Sequence, residues 1–410
     1  MSDSSVTLAK AQALDRTDPL SGLRDRFMLP GDVAYFDGHS LGPLSFQTLK
    51  NQHEVVEQQW GRQLIGGWND AGWINAPQRV GAKIARLIGA KPNEVIIADS
   101  TSVNLFKLIV AASRLSSRGT LLMEADDFHT NRYIASGAAE LTDLKLRITP
   151  RAKLKDSLDP HTNLVLLTHV HYSTAEKYNI AAVTQCARDA GALAVWDLSH
   201  STGAVPLQLN HDGVELAVGC GYKYLNGGPG APAFVYVAEH LQERLLSPLR
   251  GWMGHAAPFD FTPNYVPAPG MDRFLAGTPP ILSLAALECG IDTFEGVSME
   301  AVWEKSTALF DMFERLMSDR CPDLVCISPR ESSLRGSHIS FRHPQAFQIC
   351  QALIDAGVVG DFRAPNVIRF GLTPLYLRFE DVWTAVEHCA AIVDSRGWDR
   401  PRFNARRKVT

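Results

Sequence analysis

Long apolar runs are missing from this chain. None approaches the roughly 18 residues that a membrane-crossing helix needs, so no membrane span is expected in its 410 residues. Concentrated positive charge is missing as well. The net charge is −4, and no lysine- or arginine-rich tract is interleaved with aromatics, which argues against a nucleic-acid partner. Thirteen histidines are present, yet none falls in H-E-x-x-H or a comparable metal spacing. His169 and His171 in "THVHY" alternate on what reads as a strand end, where hydrogen bonding to a loop is favoured over a metal. The seven cysteines (Cys186, Cys220, Cys289, Cys321, Cys326, Cys350, Cys389) are odd in number and scattered. They read as reduced, small apolar residues, and Cys321 and Cys326 lack a second ligand pair for zinc. The opening "MSDSSVTLAKAQALDRTD" carries acids where a secretory leader carries basic and then apolar residues, so the expected location is the cytoplasm. No internal repeat or low-complexity segment occurs.

What the sequence does have is the patterning of buried strands. With 45% hydrophobic residues the chain can bury a large core, and its length suggests two or three domains, or one large and one small. "EVIIAD" (94–99), "TLLMEA" (120–125), "NLVLLTHV" (163–170), "ALAVWDL" (192–198) and "PAFVYVA" (232–238) are short apolar runs of the kind buried on both faces of a sheet. Between them, "SVNLFKLIVAASRL" and "AAVTQCARDAG" have helical spacing, the second stopping at Gly191. Strands alternating with helices predict an α/β fold with a mostly parallel sheet, and ligands in such sheets sit beyond the strands' carboxyl ends. The polar groups Ser100–Ser102, Thr168–His171 and Asp197–His200 fall there. After about residue 290 a long amphipathic helix, short strands such as "SHISFRH" and "NVIRFGL", and the helical "FEDVWTAVEHCAAIV" predict a smaller α+β domain. The expected division is an N-terminal segment over 1–60, a large domain over 61–290 and a small domain over 291–410. The turn-rich "AYFDGHSLGPLS" is expected to run over the surface or into a neighbouring subunit.

Chemistry concentrates in "GCGYKYLNGGPGA" (219–231). Lys223 there sits between tyrosines and glycines. A surface cation is the bland reading, but this company predicts a partly desolvated amine, nucleophilic toward carbonyls. Asp197 ends the run "ALAVWDL", where it could simply be a helix cap. An aspartate for a pyridinium nitrogen and a lysine for a Schiff base are the minimal protein equipment for pyridoxal phosphate (PLP). A phosphate cradle is offered by Ser100, Thr101 and Ser102 at a helix start, although an ordinary N-cap uses the same residues. The glycine-rich "NGGPGAP" matches neither nucleotide-loop pattern and reads as a tight turn.

The chain resembles the kynureninases, PLP enzymes of the aspartate-aminotransferase fold, through "YFDGHSLGPL", "GWNDAGWI", "DSTSVNLF", "WDLSHSTGAVP", "GCGYKYLNGGPGAPAF", "GWMGHAAPFDF", "GTPPILSLAALE" and "GDFRAPNVIRFGLTPLY". That resemblance implies that Lys223 carries PLP, Asp197 pairs its pyridine nitrogen and His200 lies beside the ring substituents. It assigns the phosphate to Thr101, Ser102, Tyr222, Trp252 and Thr278, the last two reaching in from the partner of a homodimer. Phe128 stacks on the ring, with Asn131 and Thr168 contacting the cofactor. Arg369 clamps the substrate carboxylate, and Ser40 and Trp68 lie near the aryl end. An arginine in the apolar "NVIRFGL" needs a partner in any case, so a structural ion pair is the alternative for Arg369. Core packing is the alternative for Phe128 and Trp252. Two departures stand out. The chain has "FHTN" where the family commonly has F-P-T-D, losing an acid at Asn131. It has "YSTA" where the family commonly has Y-x-[TS]-G, putting Ala175 where glycine turns more cheaply. The implied reaction is hydrolysis of L-kynurenine, or its 3-hydroxy form, to the anthranilate and L-alanine in tryptophan catabolism, with Lys223 and Tyr222 handling protons. An aminotransferase, a desulfurase or a non-catalytic PLP-binding protein are the rival expectations.

Overall fold

The computed structural model describes residues 6–405; the first residues of the opening stretch and the last five of the chain lie outside them. A seven-stranded sheet forms the centre, in the order Val95–Ala98, Ala233–Val237, Leu216–Gly219, Leu193–Asp197, Thr162–Thr168, Thr120–Glu124 and Lys145–Thr149. All neighbours pair in parallel except Ala233–Val237, which runs antiparallel to the strands on both sides. The expected strands are all present, each within a residue or two of its predicted run. Leu216–Gly219 emerges from the apolar run before Lys223. The edge strand Lys145–Thr149 goes beyond the sequence expectation, because "KLRIT" is charged and only partly buried.

Successive side chains of a strand point to opposite faces, and here each face finds its own core. Ile97, Leu122, Leu167, Trp196 and Phe234 join one cluster, while Ile96, Leu121, Leu166, Val195 and Val235 join the other. The first cluster continues without a break into Phe313, Phe341 and Phe370 of the C-terminal region. That region holds the helix Met299–Arg320, the helix Phe379–Asp394 and an antiparallel sheet ordered Asp361–Arg363, Val367–Gly371, His338–Arg342, Val325–Cys326.

The N-terminal segment is tied to this C-terminal region by polar contacts. Asp15 accepts the backbone N–H groups of Phe379 and Glu380 at 2.7 and 2.9 Å, capping the helix Phe379–Asp394 where the dipole favours an anion. Lys305 reaches Asp18 at 2.6 Å. The expectation that "AYFDGHSLGPLS" runs over the surface is corrected. Ala34–Tyr35 pairs in parallel with Val358–Val359, and Phe36 and His39 are completely buried. The Gly42 N–H donates to the Tyr222 carbonyl at 2.8 Å, and a Cβ at Gly42 would meet the Lys223 carbonyl at 2.4 Å. A turn-rich segment is driven to the surface only if its backbone polar groups lack partners, and these have them.

Close approach also fixes the helix Ala76–Leu87, where a Cβ at Gly81 would lie 2.4 Å from the Val95 carbonyl oxygen. Gly137, exposed in the helix His129–Leu141, has nothing within 4 Å. Gly137→Ala is therefore expected to stabilise the protein by about 0.5–1 kcal/mol, the helix-propensity gain. Gly81→Ala, although equally helical, is expected to destabilise it by about 1–3 kcal/mol through overpacking. Denaturant midpoints of the two variants check this opposition of sign.

Candidate active site

Strand ends and one helix start converge on a single cavity. It is lined by Thr101, Ser102, Phe128, Asn131, Thr168, Asp197, His200, Tyr222 and Lys223, together with Thr130, Tyr172 and Ser199. Thr101 and Ser102 open the helix Thr101–Ser113, whose N-cap Ser100 accepts the Val103 N–H at 3.4 Å. With the cap already filled by Ser100, the Thr101 hydroxyl is buried and has no partner, which leaves it and the helix N-terminus for an anion. Thr168 and Asp197 end adjacent parallel strands in direct register. Asp197 accepts the Ser199 N–H at 2.9 Å on one oxygen and the Asn131 amide at 3.0 Å on the other.

Tyr222 and Lys223 are consecutive, and a regular strand would aim them apart. The strand ends at Gly219, however, and the chain bends through the next residues, so both side chains face the cavity. Gly221 makes this possible by lying against the Pro232 carbonyl, where a Cβ would come within 2.4 Å. Lys223 Nζ is 3.4 Å from His200 Nε2. Burial, and then the charge of Lys223, hold His200 well below the usual imidazole range, so it is neutral. The nearby Cys220 sulfur, burial and Asp197 together hold the Tyr222 phenol above its usual range, so it keeps its proton. A phosphate-ready helix start, a strand-end aspartate and a lysine amine in one cavity fit pyridoxal phosphate.

Arg369 finds a carboxylate inside the chain. It is completely buried; its Nε donates to Asp361 Oδ1 at 2.7 Å, its Nη2 to Asp361 Oδ2, and its Nη1 to the Tyr172 carbonyl. Ser40 joins the same group, its hydroxyl 2.9 Å from Asp361 Oδ2 and 3.3 Å from Arg369 Nη2. Arg363 approaches Asp361 from the more open side at 2.7 Å. Burial raises the Asp361 pKa, but Arg369 and its neighbours outweigh it and hold the carboxyl well below the usual range. Arg369 and Ser40, in the Asp361 group, and Trp68, Trp252 and Thr278 are not among the residues that line the cavity of their own chain. Trp68 packs edge-on against Trp73 at 5.9 Å, Trp252 packs on Phe259 and is 40% exposed, and Thr278 is exposed.

Sequence reasoning missed Asp127, Tyr172 and the Asp361–His39–His338 group. Asp361 and Arg363 stand two apart in "GDFRAPNVIRFGL", the strand alternation that signals a shared face, so that partner was legible. His39 and His338 stack with ring centroids 5.4 Å apart; the His39 nitrogens lie 3.5 Å from Asp37 Oδ1 and 3.6 Å from Asp361 Oδ1, while those of His338 have no hydrogen-bond partner. Nothing in the linear sequence announces that pairing. Ala175 does adopt φ of +64°, the left-handed turn for which glycine is the cheaper residue. The hydrogen-bonding reading of the "THVHY" histidines holds: His169 bonds Ser201 Oγ at 2.8 Å and the Tyr178 carbonyl at 3.1 Å, and His171 bonds the Asp126 carbonyl at 2.8 Å.

The family model of the kynureninase C-terminal domain matches residues 302–389. A kynureninase from Burkholderia mallei is 47% identical over 414 residues, spanning 98% of this chain and 100% of that protein. Among solved structures, the cysteine desulfurase of Thermococcus onnurineus NA1 superposes with a TM-score of 0.78 at 18% identity, over 91% of this chain and 98% of that one. The lyase C-DES, with glycine linked covalently to its PLP cofactor, superposes with a TM-score of 0.75 at 18% identity, over 90% of this chain and 98% of that one. These two likenesses confirm the fold class expected from the sequence.

His169 lies under the site, and burial pushes its pKa down to about 3, with the charge of Lys177 adding to the shift. Below about pH 6.5 the unfolded chain takes up a proton that the folded one refuses, so this residue's contribution falls with pH by about 1.4 kcal/mol per unit. The stability gap between the wild type and His169→Gln is expected to narrow at that rate between pH 6 and 4. Urea unfolding across the range measures it, and a constant gap means His169 does not titrate this way.

Proposed function

The chain belongs to the kynureninase family, and from that premise we propose that it hydrolyses L-kynurenine to anthranilate and L-alanine, its cavity holding pyridoxal phosphate. The observation that carries this is the meeting of Asp197, Lys223 and the Thr101–Ser113 helix start in one cavity. When bound, the cofactor supplies an electron sink for the substrate's Cα and Cβ. Lys223 Nζ would hold the cofactor in the resting site and, once released from it, would take the substrate's Cα proton. Asp197 places a negative charge at the pyridine nitrogen, while Thr101, Ser102 and the helix N-terminus receive the phosphate. Phe128, edge-on to Tyr172 at 5.4 Å, forms a wall for the ring.

Cleavage of Cβ–Cγ places a water oxygen on Cγ and a proton on Cβ. Tyr222 suits the second task, since its surroundings keep the phenol protonated beside Lys223. Arg369 gives four of its five N–H groups to Asp361, the Tyr172 carbonyl and Ser40, which leaves one for a substrate carboxylate, and Arg363 stands next to it as a second cation. Ser40 and Trp68 belong to the aryl end of the substrate in this reading. Trp252 and Thr278 serve the phosphate of a partner subunit; their exposure away from their own cavity supports a homodimer. Desulfurase chemistry needs a mobile nucleophilic thiol. Cys220 is buried, burial pushes its thiol up, and it contacts the Ser199 carbonyl at 3.8 Å, which makes it inert.

Two outcomes are expected. Borohydride reduction of the yellow holoenzyme fixes the cofactor to the peptide containing Lys223; peptide mapping that finds it on another lysine overturns the assignment. Kynurenine as sole substrate yields alanine and anthranilate in equal amounts, independent of any added keto acid. Dependence on a keto acid, with kynurenic acid in place of anthranilate, identifies an aminotransferase instead.

A further inference from the structure

We propose that Asp127 and Asn131 are one positioning unit, in which Asp127 supplies a second carboxylate behind Asp197 and Asn131 bridges the two. The inference rests on the reading that Asp197 meets the pyridine nitrogen of pyridoxal phosphate. The sequence shows an acid missing at Asn131 relative to the family's common F-P-T-D. Four residues earlier, in the bend that precedes the helix His129–Leu141, the structure provides one, buried behind the cavity's lining.

The geometry is closed. Asn131 Nδ2 lies 3.0 Å from Asp197 Oδ2, 3.1 Å from Thr168 Oγ1 and 3.3 Å from Asp127 Oδ1. A side-chain amide nitrogen has two hydrogens, so Asn131 spends both inside this group. The Thr168 hydroxyl donates to Asp127 Oδ1 at 2.5 Å, and the Phe128 N–H donates to the same oxygen at 2.6 Å. Three donors, the Asn131 amide, the Thr168 hydroxyl and the Phe128 N–H, converge on this one oxygen. The other oxygen, Oδ2, is buried without a partner. Burial works against the charge, pushing Asp127 up to about 7 even with the Thr168 hydrogen bond. A buried acceptor left unpaired costs stability, so the fold alone gains nothing from keeping an acid at this position.

The bridge also explains the amide. With acids at 127 and 197, a third acid at 131 would leave the Thr168 hydroxyl as the lone side-chain donor among three carboxylates, and like charges at this range suppress one another's ionisation. Residue 131 must donate while residue 127 is an acid. If residue 127 becomes an amide, residue 131 is free to be the acid. The two positions therefore exchange as a pair and fail singly, and the negative charge they keep near Asp197 favours a protonated pyridine nitrogen.

The test compares Asp127→Asn, Asn131→Asp and the double exchange in the full chain. The readouts are the PLP dissociation constant, the absorbance spectrum of bound PLP and the thermal stability of the cofactor-free protein. Each single change is expected to weaken PLP binding about tenfold and shift the spectrum, while the double exchange returns to within about threefold of the wild type. Cofactor-free Asp127→Asn should be at least as stable as the wild type, which separates a role toward the cofactor from a structural one. Losses in the two singles that simply multiply in the double overturn the proposal, as does unchanged PLP affinity in Asp127→Asn. Asp197→Ala is the reference: if it too leaves affinity and spectrum unchanged, the reading of Asp197 fails. If it alone impairs them, only the Asp127–Asn131 unit fails.

Discussion

The buried pair of Asp361 and Arg369 is the joint on which the site's architecture turns. The two residues face each other across adjacent antiparallel strands of the small sheet. From there the guanidinium reaches the Tyr172 carbonyl of the large sheet's loops, and the carboxylate reaches Ser40 of the N-terminal segment. Three parts of the chain, far apart in sequence, are thus held at one point. Such a pair adds little net stability over a well-packed apolar substitute, because both ions lose their water. Its effect is positional. Removing either partner would strand the other, at a cost of about 3–5 kcal/mol, so the parts cannot drift independently.

Around this joint the interior is polar but largely uncharged. Burial, followed by the charge of a neighbour, drives His39 down to about 4 and holds His200 and His338 well below their usual range. The imidazoles of His200, His338 and His39 lie in ring contact with one another and, kept neutral, add dipoles rather than charge beside Lys223, Arg369 and Arg363. On the far side of Lys223, the carboxyl groups of Asp197 and Asp127 are tied together by the Asn131 amide.

The sequence by itself determined the sheet, the cofactor class and the residues that end the strands. Apolar runs of four to seven residues alternating with helical patterns fit strands covered on both faces, and Thr168 and Asp197 end two of them while Lys223 follows a third. Local pattern also marked the helix start at Thr101, which is decided within a few residues, whereas the left-handed turn at Ala175 was legible only through the glycine of the family's motif. Tertiary structure alone decided which groups meet. Arg369 was legible as a charge in need of a partner, but which partner depended on strand register, and register placed Asp361 opposite it. Burial of "AYFDGHSLGPLS" depended on a strand pairing with residues more than 300 positions away. Asn131 read as a lost acid because a sequence shows an absence at one position; that Asp127 faces the same space depends on a helical turn and a neighbouring strand, which only the folded chain brings together.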